Sequence, residues 1–238
     1  MNDLINISLS EYSEYIFFNF MMIKKTILLF CLLFAATAQA QLSWIKKNTT
    51  QIGLKYGTGK QGNFLFEDTD YVYEFNSFKV SSHFLLHHKN NHQWELLVEP
   101  TYYQSSHELY NYWYIGFKYY PTTEEQKAIY MTPKNFKEYA LNLGLLYRYF
   151  IHKDFSVYGY GNIGPAYIDT PTERQAKGFA FSDIVALGIQ YQWGRISIDS
   201  RALFRHTSSA NLIKPNNGMN ALGFEMGINY HFKKPDLR

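Results

Sequence analysis

The stretch "RISIDSRALFRHTS", residues 195–208, decides the fold. Counted with a period of two, Ile196, Ile198, Ala202 and Phe204 share one face, and Ser197, Asp199, Arg201 and Arg205 share the other. A half-buried strand of a soluble protein turns its apolar face to the core and its charges to water. Here the charged face repeats so regularly that the opposite assignment must be weighed: apolar side chains to lipid and polar ones into the lumen of a transmembrane barrel. The neighbouring run 219–232 (MNALGFEMGINYHF) has the same character, with Leu222, Phe224, Met226, Ile228, Tyr230 and Phe232 opposed to Gly223, Glu225, Gly227 and Asn229.

Working outward from this pair, six further segments alternate in the same way: 50–58, 77–88, 93–104, 138–151, 154–166 and 180–193. With 195–208 and 219–232 the count is even, as in single-chain bacterial outer-membrane barrels, and the expected fold is an all-β, eight-stranded antiparallel transmembrane β-barrel. The connections alternate in length. Those near 89–91, 152–154 and 194–195 are tight; 59–76, 105–137, 167–179 and 209–218 are long, matching periplasmic turns and extracellular loops. Loop 105–137 carries the aromatic run "YNYWYIGFKYY", which fits either an extra hairpin arm or a further strand pair. Inward charges are nearly balanced, with Lys55, Lys79, Arg148, Arg201 and Arg205 against Glu95, Glu99, Asp199 and Glu225. Such a set predicts a narrow interior filled by ion pairs, not an open pore.

Composition agrees. There are 21 Tyr and 19 Phe, and aromatic rings with one polar end gather at membrane interfaces. The net charge of +3 is too weak to argue for nucleic acid. The segment 21–40 (MMIKKTILLFCLLFAATAQA) has two lysines, an apolar run and Ala38-Gln39-Ala40, which reads as an export signal cleaved before Gln41. Residues 1–20 lie upstream of this start and read as a mis-assigned initiation site, leaving 41–238 as one barrel domain. The single cysteine, Cys31, sits inside the signal's apolar run, so thiol chemistry and disulfides are excluded from the mature chain.

Between the last two strands, "RHTSSANLIKPNNGMN" (205–220) is strongly polar. Extending the lipid-facing parity puts His206, Ser208 and Asn220 on the outer wall, at the loop end of adjacent strands. A polar side chain there is tolerated only near the interface, where acyl ester bonds of membrane lipids lie. His206-Thr-Ser208-Ser-Ala210 followed by Pro215-Asn216-Asn-Gly218 resembles the lipid A 3-O-deacylase family of outer-membrane esterases, whose pattern runs His-x-Ser-Asn-Ala and then Pro-Asn-x-Gly-x-Glu. Phe181-Ser182-Asp183 and the last two strands share the likeness, so it covers roughly the final third, with the rest similar only as barrel pattern.

The resemblance implies an outer-membrane serine esterase that removes the 3-position acyl chain of lipid A from lipopolysaccharide without metal or cofactor. Ser208 would be the nucleophile and His206 the general base, with Asn216, Ser209 and Asn211 around the oxyanion. Two positions depart from the pattern. Ser209 stands where the family has asparagine, and Asn220 where it has an acid. A two-residue turn at Gly194-Arg195 would place Asp183 opposite His206, so Asp183 becomes a candidate, directly or through water, for the charge that Asn220 lacks.

Two other readings remain open at this point: a non-enzymatic barrel that displays its loops or adheres to a partner, and a phospholipid esterase or acyltransferase. His87, His88 and His92 read as solvated turn residues and not as a metal site. His83 and Glu99 read as interior hydrogen-bond partners. The glycine-rich "YGTGKQGN" (56–63) lacks the strand-loop-helix setting of a phosphate loop.

Overall fold

The computed structural model describes residues 43–61, 69–111, 128 and 130–232. The chain divides into two units, Met1–Lys47 and Asn48–Arg238. Of the first, only residues 43–47 are described, and they are helical. The expected leader and most of the aromatic run at 110–120 lie outside the described residues.

The second unit is an antiparallel ring. Its strands are β1 (Thr49–Lys60), β2 (Tyr71–Lys89), β3 (His92–Leu109), β4 (Lys134–His152), β5 (Phe155–Ile163), β6 (Pro165–Ile168), β7 (Gly178–Trp193), β8 (Ile196–Ser208) and β9 (Met219–His231). Apart from β5 and β6, each strand pairs with its neighbour in sequence, and β1 pairs with β9, which closes the ring. β5 and β6 are two halves of one stave: both lie between β4 and β7, and the register is the same on either side of Gly164. Eight staves therefore carry nine strands. At the break, Asn162 Oδ1 accepts the Ile184 N–H at 3.0 Å and the Gly164 carbonyl accepts the Ser182 N–H at 2.8 Å, in place of ladder bonds.

The outer wall is apolar between two aromatic zones. Leu54, Val80, Leu143, Leu145, Leu187, Ile198, Met226 and Ile228 are exposed at mid-height. Above them an unbroken row runs by register from stave to stave, Tyr56, Phe78, Tyr102, Tyr139, Tyr167 and Phe179. Near the tight turns, Trp94 packs on Tyr147 and Tyr230 on Phe232, forming the second zone. This pair of girdles around an apolar band is the membrane-facing pattern of an outer-membrane barrel.

The strands run further than alternation predicts. β2 begins at Tyr71, not 77, and β3 reaches Leu109, not 104, so the flanking loops shorten to 61–70 and 110–133. The physical reason is an inversion of polarity above the aromatic row. There Tyr71, Tyr73, Phe75, Leu109 and Phe136 point inward and are buried, whereas Glu74, Asn76, Gln104 and Lys137 point outward. Beyond the membrane the barrel is built like a soluble one, with its apolar side within.

Below that apolar cap the lumen is filled with paired charges. Arg205 bonds Glu138 at 2.7 Å and its guanidinium lies 3.8 Å from the Tyr103 ring centroid. Arg201 bridges Glu225 at 2.6 Å and Glu99 at 2.9 Å, Lys79 meets Glu225 at 2.6 Å, and Lys55 meets Asp199 at 2.5 Å. At the turn end Arg148 and His83 both bond Glu95 at 2.6 Å. Every inward charge expected from the sequence joins this set, together with Glu138, which parity along β4 also turns inward.

Removing one member of a buried pair leaves the other desolvated and alone. Arg201→Ala should lower unfolding stability in vesicles by about 3–5 kcal/mol, read from the urea midpoint, because Glu99 and Glu225 both lose a cation. Lys60→Ala, which breaks the exposed Lys60–Glu74 pair, should change it by less than about 1 kcal/mol.

Candidate active site

Gly194 and Arg195 form the two-residue turn between β7 and β8, with Gly194 at φ 62°. The register that follows sets Asp183 against His206 and Phe181 against Ser208. On the other side, His206 faces Asn220 of β9. Asp183, His206, Ser208 and Asn220 all occupy outward, half-buried positions, as the parity predicts. They stand where the outer columns change character. Below them β7 presents Val185, Leu187 and Ile189, β8 presents Phe204 and Ala202, and β9 presents Leu222 and Phe224. Four polar residues thus meet at the end of the barrel opposite the tight turns, on the upper margin of the apolar band.

The closest contact among them is between His206 Nδ1 and Asn220 Oδ1, at 2.6 Å. An amide oxygen can only accept, so the ring donates from Nδ1 and keeps the Nε2 lone pair free to take a proton. Asp183 is in register with His206 but, among the described residues, makes neither a hydrogen bond nor an ion pair with it. Its Oδ1 is buried without a hydrogen-bond partner. Direct bonding of the ring therefore belongs to Asn220, not to Asp183. No hydrogen bond among the described residues joins Ser208 Oγ to the ring.

The loop 209–218 is organised by its polar residues. Asn216 Oδ1 accepts the Ser209 N–H at 2.6 Å, and Asn216 Nδ2 donates to Asn211 Oδ1 at 3.3 Å. The Ser209 hydroxyl is buried and donates to the Ile213 carbonyl at 2.7 Å. Ser209 thus closes the loop from within, while Asn211 is exposed at φ 65°. Gly218 ends the loop at φ 69°, and a Cβ there would lie 2.8 Å from His206 Cε1. Only glycine combines this backbone with room for the imidazole.

Sequence reading missed the neighbouring loop 169–177, whose Thr172, Glu173, Arg174, Gln175 and Ala176 are all buried. Its residues follow no period, and no local motif marks them.

An eight-stave barrel with lipid-facing walls, a charge-filled interior and an outward His–Ser pair at one rim defines an integral outer-membrane protein with a hydrolase-like site. The lipid A 3-O-deacylase (PagL) family profile matches residues 34–229. The chain belongs to that family and is a lipid A deacylase-type outer-membrane enzyme. Solved structures with a similar course are the outer-membrane enzyme PagL (11% identity, 74% of this chain and 97% of that chain covered, TM-score 0.49), Neisserial surface protein A (14%, 76% and 96%, 0.42) and Ail of Yersinia pestis (14%, 78% and 99%, 0.38). No curated protein sequence matches significantly.

Gly218 and Gly194 make a controlled comparison, since both have positive φ but only Gly218 touches the ring. Gly218→Ala should lower lipid A deacylation roughly 10- to 100-fold by displacing His206, whereas Gly194→Ala, with open space around its Cβ, should keep it near the unmodified rate. Mass spectrometry of lipid A after timed incubation measures both.

Proposed function

We propose that the protein is a serine esterase that hydrolyses the 3-O-linked acyl ester of lipid A at the outer leaflet. The observation that carries this reading is the outward His206–Asn220 pair beside Ser208, at the margin where lipid ester groups meet the barrel. Ser208 Oγ attacks the ester carbonyl as His206 Nε2 takes the hydroxyl proton. The tetrahedral intermediate collapses by breaking the bond to the sugar oxygen, and the imidazolium returns its proton to that leaving oxygen. Water then enters by the same route, with His206 as base, and frees the acyl chain and Ser208. No step calls for a metal or other cofactor. The substrate is lipid A of lipopolysaccharide in the outer membrane.

Oxyanion donors come from the loop. Asn216 Nδ2 has a second N–H beyond its bond to Asn211, and the exposed Asn211 amide lies on the same loop. Asn220 orients His206 and fixes its tautomer, but an amide adds no charge to balance the imidazolium. Asp183, across the β7–β8 ladder with an unpartnered Oδ1, supplies that charge through space or through one water.

Lipid A from cells expressing the protein should lose one hydroxyacyl chain, and Ser208→Ala should abolish the mass change. His206→Ala should slow hydrolysis by roughly 10²- to 10⁴-fold, the usual worth of a positioned base. Asn220→Ala and Asp183→Asn should each slow it less, with the rate falling further when they are combined. An unmodified rate in Asp183→Asn would remove the acid from the mechanism, and an unchanged lipid A with Ser208 intact would favour a non-enzymatic barrel.

A further inference from the structure

Loop 169–177 is joined to the site loop as a short two-stranded ribbon. The Asn217 N–H donates to the Arg174 carbonyl at 2.8 Å, the Ala176 N–H donates to the Pro215 carbonyl at 3.1 Å, and Gln175 and Asn216 form a β-bridge between them. Two side chains tie this ribbon to the barrel. Glu173 reaches inward to His107 of β3, with Oε1 2.7 Å and Oε2 2.9 Å from Nε2. Arg174 stacks 3.8 Å from the centroid of the Tyr71 ring and donates from Nε to the Gly218 carbonyl at 2.8 Å. Gly218 is the residue at which an added Cβ would lie 2.8 Å from His206 Cε1. The ribbon itself is stiffened by Thr172, whose hydroxyl accepts the N–H groups of Arg174 at 3.2 Å and Gln175 at 3.0 Å.

We infer that Arg174 is a positioning residue for the ester-cleaving site: it fixes the Gly218 carbonyl, and through Gly218 the plane of the His206 imidazole, against the rigid aromatic interior of the barrel. This rests on the serine esterase reading above. The physical argument is one of tolerance. The β8 and β9 ladders set the His206 Cα, but the ring turns about two bonds, and Asn220 restrains it at Nδ1 alone. Gly218 backs the Cε1–Nε2 edge so closely that an added Cβ would lie 2.8 Å from Cε1, which limits how far the ring can turn toward the loop. Gly218 sits at the end of a ten-residue loop with positive φ at Ala210, Asn211 and Gly218. The Thr207–Met219 pairing fixes one side of it, and its carbonyl is held from outside the loop. The Arg174 guanidinium does so from a stacked, buried position, where little freedom is lost on forming the bond. Glu173 anchors the same turn to a different stave, so the clamp spans β2, β3 and the β8–β9 loop without touching the substrate face.

The test separates positioning from folding and from lipid binding. A small fluorophosphonate reacts at an activated serine: the Oγ–P bond forms, fluoride leaves and the serine proton passes to His206. Purified protein in detergent micelles is labelled with it, the site mapped by peptide mass spectrometry, and folding checked by heat-modifiable migration on gels. The unaltered protein should be labelled at Ser208 and Ser208→Ala not at all. If the unaltered protein takes no label at Ser208, the esterase reading fails and the role of Arg174 falls with it.

With that label in place, Arg174→Ala should be labelled roughly 10- to 100-fold more slowly, the cost of a misplaced base, in protein that migrates as a folded barrel. Its kcat for lipid A should fall by a similar factor with KM little changed. Arg174→Lys, which keeps the charge but loses the Nε donor geometry and the stack, should fall between the two. It also decides the matter if the alanine variant does not fold. Labelling of folded Arg174→Ala, or of Arg174→Lys where alanine fails, at the unaltered rate would overturn the inference.

Discussion

Everything in this molecule follows from the two-residue period of a closed antiparallel ring. Closure removes the sheet edge, which allows the backbone to cross hydrocarbon with its polar groups paired. It also gives each side chain a binary choice, lumen or lipid, which a shift of one residue would reverse throughout a strand. With only eight staves the lumen is narrow and is packed largely with side chains. The sequence fills it with Arg148, Arg201, Arg205, Lys55 and Lys79 against Glu95, Glu99, Glu138, Asp199 and Glu225, each placed by parity and matched across the barrel.

A filled lumen has a consequence for chemistry. A lumen packed at membrane height with paired charges is a poor place for an acyl chain, so a site acting on lipid belongs on the outside. There the price in solvation limits polar residues to the rim. Asp183, His206, Ser208 and Asn220 meet that condition: each follows the apolar column of its own strand toward the end opposite the tight turns, with Phe181 and Phe179 beyond Asp183 on β7. The same charges that fill the interior also stiffen the staves on which these side chains stand. Arg205, one residue from His206 on the opposite face, bonds Glu138 and Ser182, which ties β8 to β4 and β7 directly behind the site.

Much of this was legible in the sequence because it depends on parity and on turn length, which are local. The eight staves, the inward charges, the outward direction of His206, Ser208 and Asn220, and the opposition of Asp183 to His206 all follow from counting. The strand extensions were not legible for a definite reason. At Tyr71, Tyr73 and Phe75 the inward side is apolar, so the alternation inverts, and a rule tuned to lipid outside stops at the aromatic row. Nor was the division of labour in the 209–218 loop. Asn216, read as an oxyanion donor, also uses its carbonyl oxygen to hold the Ser209 N–H, and Ser209 turns inward to the Ile213 carbonyl, contacts that depend on backbone course and not on spacing. The buried Glu173–Arg174 turn had no signal at all, since an aperiodic loop acquires its burial only from the barrel mouth it fills.

The substitution of Asn220 for an acid is the point at which geometry and electrostatics part. Geometry is preserved: Asn220 Oδ1 accepts from His206 Nδ1 at 2.6 Å, and the ring has the tautomer a general base needs. Electrostatics is not, because an amide gives the imidazolium only a dipole where a carboxylate would give a full charge. Arg205, on the opposite face of β8, is bonded to Glu138 at 2.7 Å and so belongs to a neutral pair. That leaves Asp183 as the one ionisable group in register with His206 whose charge is not already spent on a partner. A carboxylate one ladder step away, at the margin of the apolar band, is screened far less than it would be in water, so it can act on the imidazolium without bonding to it. On the reading proposed above, the two duties usually joined in one acid would be divided between two strands: β9 orients the ring and β7 would supply the charge.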